Sequence, residues 1–239
     1  MIQIALNGNR SAAQVPKSTA EIVQAAVSAV QAGAESIHFH VRGDKGRETL
    51  AAAWVEEQVS KLKQSLGSIP IGISTGAWIE PDLDARLALI ESWRVLPDFV
   101  SINFDEMGYE QVARLVASKG IEVEAGLSKL ASAQNFVNSS LDVKFLRILI
   151  EPQENTTESA VRTVQAIEAL LKDCGNRLPV LLHGVDNTCW ELLRLAFEKG
   201  YATRIGFEDT LLLPDGQPAN SNAELLKEAK KLKTEMQIN

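Results

Sequence analysis

Short apolar runs rich in β-branched residues alternate along the chain with amphipathic stretches of about three turns. The apolar runs over 2–7, 36–41, 70–75, 99–104, 122–127, 145–152, 179–184 and 203–209 predict eight strands. A 3.6-residue period predicts helices over 19–32, 51–66, 82–93, 109–118, 131–137, 158–172, 189–199 and 222–236. Thr19 stands where the first helix needs an N-cap, and Gly33, Gly120 and Gly200 stand where helices stop. Eight βα units of roughly 30 residues each are the signature of a (β/α)8 TIM barrel. The even spacing leaves no room for a linker, so residues 1–239 are read as a single barrel domain. An open doubly wound sheet is the alternative, but no G-x-G-x-x-G follows the first strand.

Strands of a parallel sheet covered by helices should be apolar throughout. Here polar residues collect toward their C-terminal ends: Asn7, His38, His40, Ser74, Thr75, Asn103, Glu122, Glu124, Glu151, His183, Arg204, Glu208 and Asp209. That end of a barrel carries the active site. Buried polar groups must pair, bind metal or bind substrate, and a shared site explains so many on one rim better than scattered structural pairs. His38-Phe39-His40 is the sharpest element, because residues i and i+2 of a strand share a face and both imidazoles can approach one ion. Zinc takes a few N or O ligands and keeps an open position when catalytic. Glu208 fits as the third ligand, since Arg204, Gly206 and Glu208 alternate onto one face of the last strand, with Asp209 at the strand-to-loop junction. A structural ion pair between Arg204 and Glu208 is the alternative.

Composition changes this picture little. Hydrophobic residues are 45% and charged residues 23%, ordinary for a globular protein. The formal charge is -7 with no dense Lys/Arg run, which argues against nucleic acid. An anionic substrate would need specific arginines to hold it against that field. No apolar stretch approaches a membrane span, and the start MIQIALNG turns polar too early for a signal peptide. Two cysteines outside any C-x-x-C pattern suit a reduced, cytoplasmic chain.

Several segments together resemble the β-keto acid cleavage enzymes, among them the 3-keto-5-aminohexanoate cleavage enzyme. They are LNGNR (6–10), SIHFHVRGDKGRE (36–48), ISTGAWIEP (73–81), SINFDE (101–106), VEAGL (123–127) and RIGFEDTLLLPDG (204–216), and the likeness continues to SNAELL (221–226). The resemblance implies a zinc-bearing TIM barrel that exchanges a β-keto acid with acetyl-CoA, giving acetoacetate and a new acyl-CoA. It implies His38, His40 and Glu208 as metal ligands and Asp209 as general base, oriented by Arg204 and Glu124. Ser74, Thr75 and Asn103 would hold the substrate, and the protein would form a homo-oligomer.

The sequence departs from that pattern in places. Gly8-Asn9-Arg10 stands where some members carry a Glu, so Arg10 is read either as a ligand for the substrate carboxylate or as a surface residue. His183-Gly184-Val185-Asp186-Asn187 replaces a Gly-Arg pair of several relatives, and Asp105 and Glu106 replace small residues. The chain is also short for the family, which suggests a trimmed lid. Two other functions stay in view. A zinc hydrolase also uses H-x-H, but on the first strand and with more histidines than the one further residue here, His183. A non-catalytic relative would bind metal or keto acid without turnover.

Overall fold

The computed structural model describes residues 1–238. Eight parallel strands close in sequence order: β1 (Ile2–Ala5), β2 (Ser36–Phe39), β3 (Ile71–Ser74), β4 (Phe99–Asn103), β5 (Glu122–Leu127), β6 (Phe145–Ile150), β7 (Val180–Leu182) and β8 (Ala202–Ile205), which returns to β1. The helices α1 (Thr19–Gln31), α2 (Ala52–Leu66), α3 (Leu83–Glu91), α4 (Tyr109–Ser118), α5 (Leu130–Asn138), α6 (Thr157–Asp173), α7 (Cys189–Glu198) and α8 (Asn222–Ile238) follow their strands. The expected (β/α)8 barrel is therefore the fold. Among the described residues, no helix is long and apolar enough to cross a membrane.

Except for β5, the strands stop earlier than their apolar runs do. Past β1 and β2 a side chain takes over the ladder: Asn7 Oδ1 accepts from His40 N at 2.8 Å, and Asn7 Nδ2 donates to His40 O at 3.0 Å. The first helix is capped by Ser18 rather than Thr19. Ser18 Oγ accepts from Glu21 N at 3.3 Å and Glu21 Oε2 accepts from Ser18 N at 2.9 Å, a reciprocal capping box. The third helix ends at Glu91, short of the expected 93, and Trp93 turns inward to donate Nε1 to Leu50 O at 2.8 Å.

The apolar core lies between barrel and helices. Ile4, Ile37, Ile73, Val100, Val123, Ile148 and Ile205 face outward onto residues such as Ile22, Val59, Val116, Ile167 and Leu192. The barrel interior is polar well below its rim, which the sequence reading placed only at the strand ends. Gln3 Nε2 donates to Ser36 Oγ at 3.5 Å, and the Arg147 guanidinium lies 5.0 Å from the Phe99 ring centroid. The same guanidinium bonds through Nε to the fully buried Glu124 carboxylate. Gly72 makes room for Phe99, since a Cβ there would sit 2.1 Å from the ring.

Breaking the Glu124–Arg147 pair would leave a carboxylate in the barrel without its cation. Arg147→Met should cost about 3–5 kcal/mol of unfolding free energy, and Glu124→Gln added to it should restore most of the loss. Urea denaturation of the wild type and both variants checks this; a single-variant loss under about 1 kcal/mol would show that the pair is not needed to hold Glu124.

Candidate metal centre

His38 points inward from β2, and His40 follows one residue past that strand's end. Their rings pack edge to face, with centroids 5.4 Å apart. Glu208 reaches them by a different route from the one expected. β8 ends at Ile205, and residues 206–210 form a helical turn in which Asp209 N and Thr210 N each donate to Gly206 O at 2.9 Å. The turn, not strand alternation, brings Glu208 and Asp209 over the mouth. It can lie so close to β1 because position 206 lacks a side chain: a Cβ there would be 2.0 Å from Ala5 O. Gly8, in the left-handed region at φ 53, fits against Glu208 for the same reason, with a Cβ 2.5 Å from its Cγ.

His38 Nε2 lies 3.5 Å from Glu208 Oε2, and His40 Nε2 lies 3.2 Å from Glu208 Oε1. Two ligands at about 2.0–2.1 Å from a tetrahedral zinc stand about 3.3–3.4 Å apart, so these spacings suit one ion. One donor atom from each of the three residues falls within 4.8 Å of the other two. Glu208 Oε2 is buried and makes no hydrogen bond, an unmet acceptor at the point where a cation would sit. The other ring nitrogens are held from behind. His40 Nδ1 is bonded to Glu48, and His38 Nδ1 lies 3.4 Å from Ser101 Oγ, which donates to Glu124 Oε1 at 2.6 Å. Both arrangements engage Nδ1 and leave Nε2 facing Glu208, the outer-shell pattern of metal-binding histidines. The residues present therefore fit a divalent ion.

The charges agree with this. Burial lowers His38 to a pKa of about 4, so its ring is neutral. Burial also opposes protonation of His40, but the Glu208 and Glu48 carboxylates outweigh it and raise the ring to about 9. The proton they stabilise there sits where a metal ion would. Burial pushes Glu208 up, and Arg204, His40 and His38 overcome it to hold the carboxyl well below its usual range.

Asp209 forms the adjoining wall. It is fully buried, with Oδ1 2.7 Å from Arg204 Nη2 and 3.3 Å from His183 Nδ1. Burial raises its carboxyl and the two cations lower it further, leaving it ionised. His183 is pushed down by burial and Arg204 but raised to about 9 by Asp209 and Glu151. Its Nε2 lies 3.5 Å from Glu151 Oε2 and makes no hydrogen bond. All these groups border one cavity of about 330 Å³ at the C-terminal mouth of the barrel.

Other expected residues are placed less directly. Asn103 lines the cavity and donates Nδ2 to Glu106 Oε1 at 2.8 Å. Ser74 and Thr75 do not line it: Ser74 Oγ accepts from Gly76 N at 3.3 Å, and Thr75 Oγ1 donates to Ser101 O at 3.0 Å. Glu124 accepts from Ser101 and pairs with Arg147, so its bonds in the structure run toward His38 and not to Asp209. Arg10 stands beside the cavity, not in it, with its guanidinium on Asp186 and on backbone carbonyls. The Asp105 and Glu106 carboxylates meet Lys129 and Arg86 respectively. Glu48, to which the sequence reading gave no role, also enters the site, as does Trp78, read from the sequence as a packing residue that could line the pocket. Glu48 returns to the mouth through a tight turn at 44–46, and Trp78 stacks on His40 at 5.8 Å while donating Nε1 to Glu48 Oε1 at 3.1 Å.

Two outcomes follow from this geometry. Zinc-supplied, desalted protein should retain about one ion per chain, and His38→Ala/His40→Ala none, by plasma mass spectrometry. Glu48→Gln should retain the fold but bind zinc about 10- to 100-fold more weakly in chelator competition; equal affinity would exclude Glu48 from the outer shell.

Comparison with known proteins is consistent over the whole chain. Curated 3-keto-5-aminohexanoate cleavage enzymes from Fusobacterium nucleatum and Acetoanaerobium sticklandii are each 24% identical, over 93% and 92% of this chain and 85% of theirs. The fold is also that of ObcA, solved as a ternary complex with a C4-CoA adduct and oxalate, with a TM-score of 0.73 and 13% identity. That alignment covers 94% of this chain, which spans 64% of the ObcA chain. Residues 1–239 match the family described as beta-keto acid cleavage enzyme, and the chain belongs to that family.

Proposed function

We propose that the protein is a zinc-dependent enzyme that converts a β-keto acid and acetyl-CoA into acetoacetate and a new acyl-CoA. The observation that carries this reading is the cluster of His38, His40 and Glu208 donor atoms, with His40, Glu208 and the buried Asp209 all opening on one cavity. Family membership supplies the reaction class. ObcA, solved with a C4-CoA adduct and oxalate and separately with oxaloacetate, supports a CoA compound and a small keto acid as the partners.

Zinc held by His38, His40 and Glu208 would supply a Lewis acid for the 3-keto oxygen. Asp209 takes a proton from the carbon between the keto and carboxylate groups. Arg204 and His183 keep its carboxylate ionised and so ready to accept, but a carboxylate held that low is a weak base. The substrate proton must therefore be acidified within the site, which explains why base and metal ligand are consecutive residues. Arg204 bridges them, with Nη2 3.1 Å from Glu208 Oε1 and 2.7 Å from Asp209 Oδ1, so ligand and base keep a fixed separation. The carbanion then attacks the acetyl thioester and CoA leaves as the thiolate. Thiolate attack on the former 3-keto carbon breaks the carbon–carbon bond, and the departing carbanion takes the proton back from Asp209, giving acetoacetate and the acyl-CoA. Asn103 and His183 are among the polar side chains that border the space the keto acid would occupy.

Zinc-loaded protein incubated with acetyl-CoA and a panel of β-keto acids of either charge should form acetoacetate with at least one. Asp209→Asn should lower kcat by about 10²- to 10⁴-fold while retaining zinc. Wild-type protein with full zinc and no exchange on any member of the panel would overturn the assignment in favour of a binding protein without turnover.

A further inference from the structure

The turn carrying Glu208 and Asp209 is bonded on every side. Its amides are taken from below: Phe207 N donates to Asn222 Oδ1 at 2.8 Å, and Glu208 N to Ala5 O at 3.2 Å. Its carbonyls are taken from the opposite side by two loops far apart in sequence. Arg10, in the loop after β1, donates Nε to Glu208 O at 2.9 Å and Nη2 to Asp209 O at 3.0 Å. Asp186, in the loop after β7, donates its N–H to the same Asp209 O at 2.7 Å. The loops also hold each other, with Arg10 Nη2 2.6 Å from Asp186 Oδ1. Asp186 has φ 49, a left-handed conformation that few residues other than glycine adopt and that Asp and Asn tolerate best.

Neither residue faces the substrate space. Gly8, Asn9 and Val185 border the cavity, while Arg10 and Asp186, next to them in the chain, do not. We propose that Arg10 and Asp186 are positioning residues that clamp the backbone carbonyls of Glu208 and Asp209. The clamp sets the angle at which the Glu208 carboxylate meets an ion on His38 and His40, and at which Asp209 faces its substrate. This inference rests on the metal reading above. Arginine suits the task because its rigid planar fork spans two carbonyls at once, which a single ammonium does not. Asp186 offsets the guanidinium charge, which would otherwise stand close to a divalent ion and repel it.

The test is zinc affinity by competition with a chromophoric chelator, together with the visible bands of the Co²⁺-substituted protein. Arg10→Lys keeps the charge opposite Asp186 but loses the fork. It should keep the wild-type melting behaviour, bind zinc about 10- to 100-fold more weakly and shift the Co²⁺ bands. Asp186→Asn keeps the left-handed backbone and the N–H to Asp209 O, so it should weaken zinc less, and it carries the test if Arg10→Lys fails to fold. Wild-type affinity and unshifted bands in both variants would overturn the clamp. A raised KM for the keto acid with zinc affinity unchanged would make Arg10 a substrate ligand instead. Wild-type protein that binds no zinc would remove the metal centre itself, an outcome read before any variant is made.

Discussion

The structure at the barrel mouth depends on one buried guanidinium. Arg204 lies against two consecutive carboxylates, Glu208 and Asp209, and is the foremost of the groups that hold both ionised against burial. Its own charge is reinforced in return, since the carboxylates outweigh burial and raise it above its ordinary value. Removing one partner from so buried a cluster exposes the full desolvation penalty of the others, so the cluster is retained as a unit. The residue that makes Glu208 available as a ligand is thus the residue that keeps Asp209 available as a base.

From that cluster a polar column runs down the barrel axis. His38 meets Ser101, Ser101 meets Glu124, and Glu124 meets Arg147 over the Phe99 ring. At the rim a second, shorter chain runs from His40 to Glu48 and Trp78. The two imidazoles are thereby oriented from opposite directions, one from the barrel interior and one from its edge. An apolar jacket between strands and helices supplies the burial that holds both chains rigid. The pattern explains why the interior of this barrel is built from Gln3, Ser36, Ser101, Glu124 and Arg147 rather than from branched aliphatics: it serves as outer shell to the mouth.

The family likeness and the geometry bear on different levels. Identity of 24% with curated relatives and a full-length family match identify the class of chemistry. The two loops read from the sequence as departures from the resemblance, Gly8-Asn9-Arg10 and His183 to Asn187, are the ones whose Arg10 and Asp186 meet at the Glu208 and Asp209 carbonyls. Departures at two separate positions of the sequence are therefore one structural feature.

Eight evenly spaced apolar runs were enough to establish the closed barrel, because strand and helix periods depend on local sequence and a 30-residue βα unit allows few other topologies. The pairing of His38 with His40 was legible for the same reason, since alternation along a strand is local. Glu208 and Asp209 were legible as residues but not as geometry: their position comes from a turn made possible by the bare Gly206 against Ala5, a contact between the two ends of the chain. His183 was legible as a polar strand end, but Glu48, Trp78 and Asp186 lie in loops whose course depends on what they meet, and no period of the sequence encodes that. Local patterning by itself determined the scaffold and which strand ends carry chemistry. Only the tertiary structure decided which loop residues complete the site, because their partners lie across the barrel mouth and ion pairing over that distance has no signature along the chain.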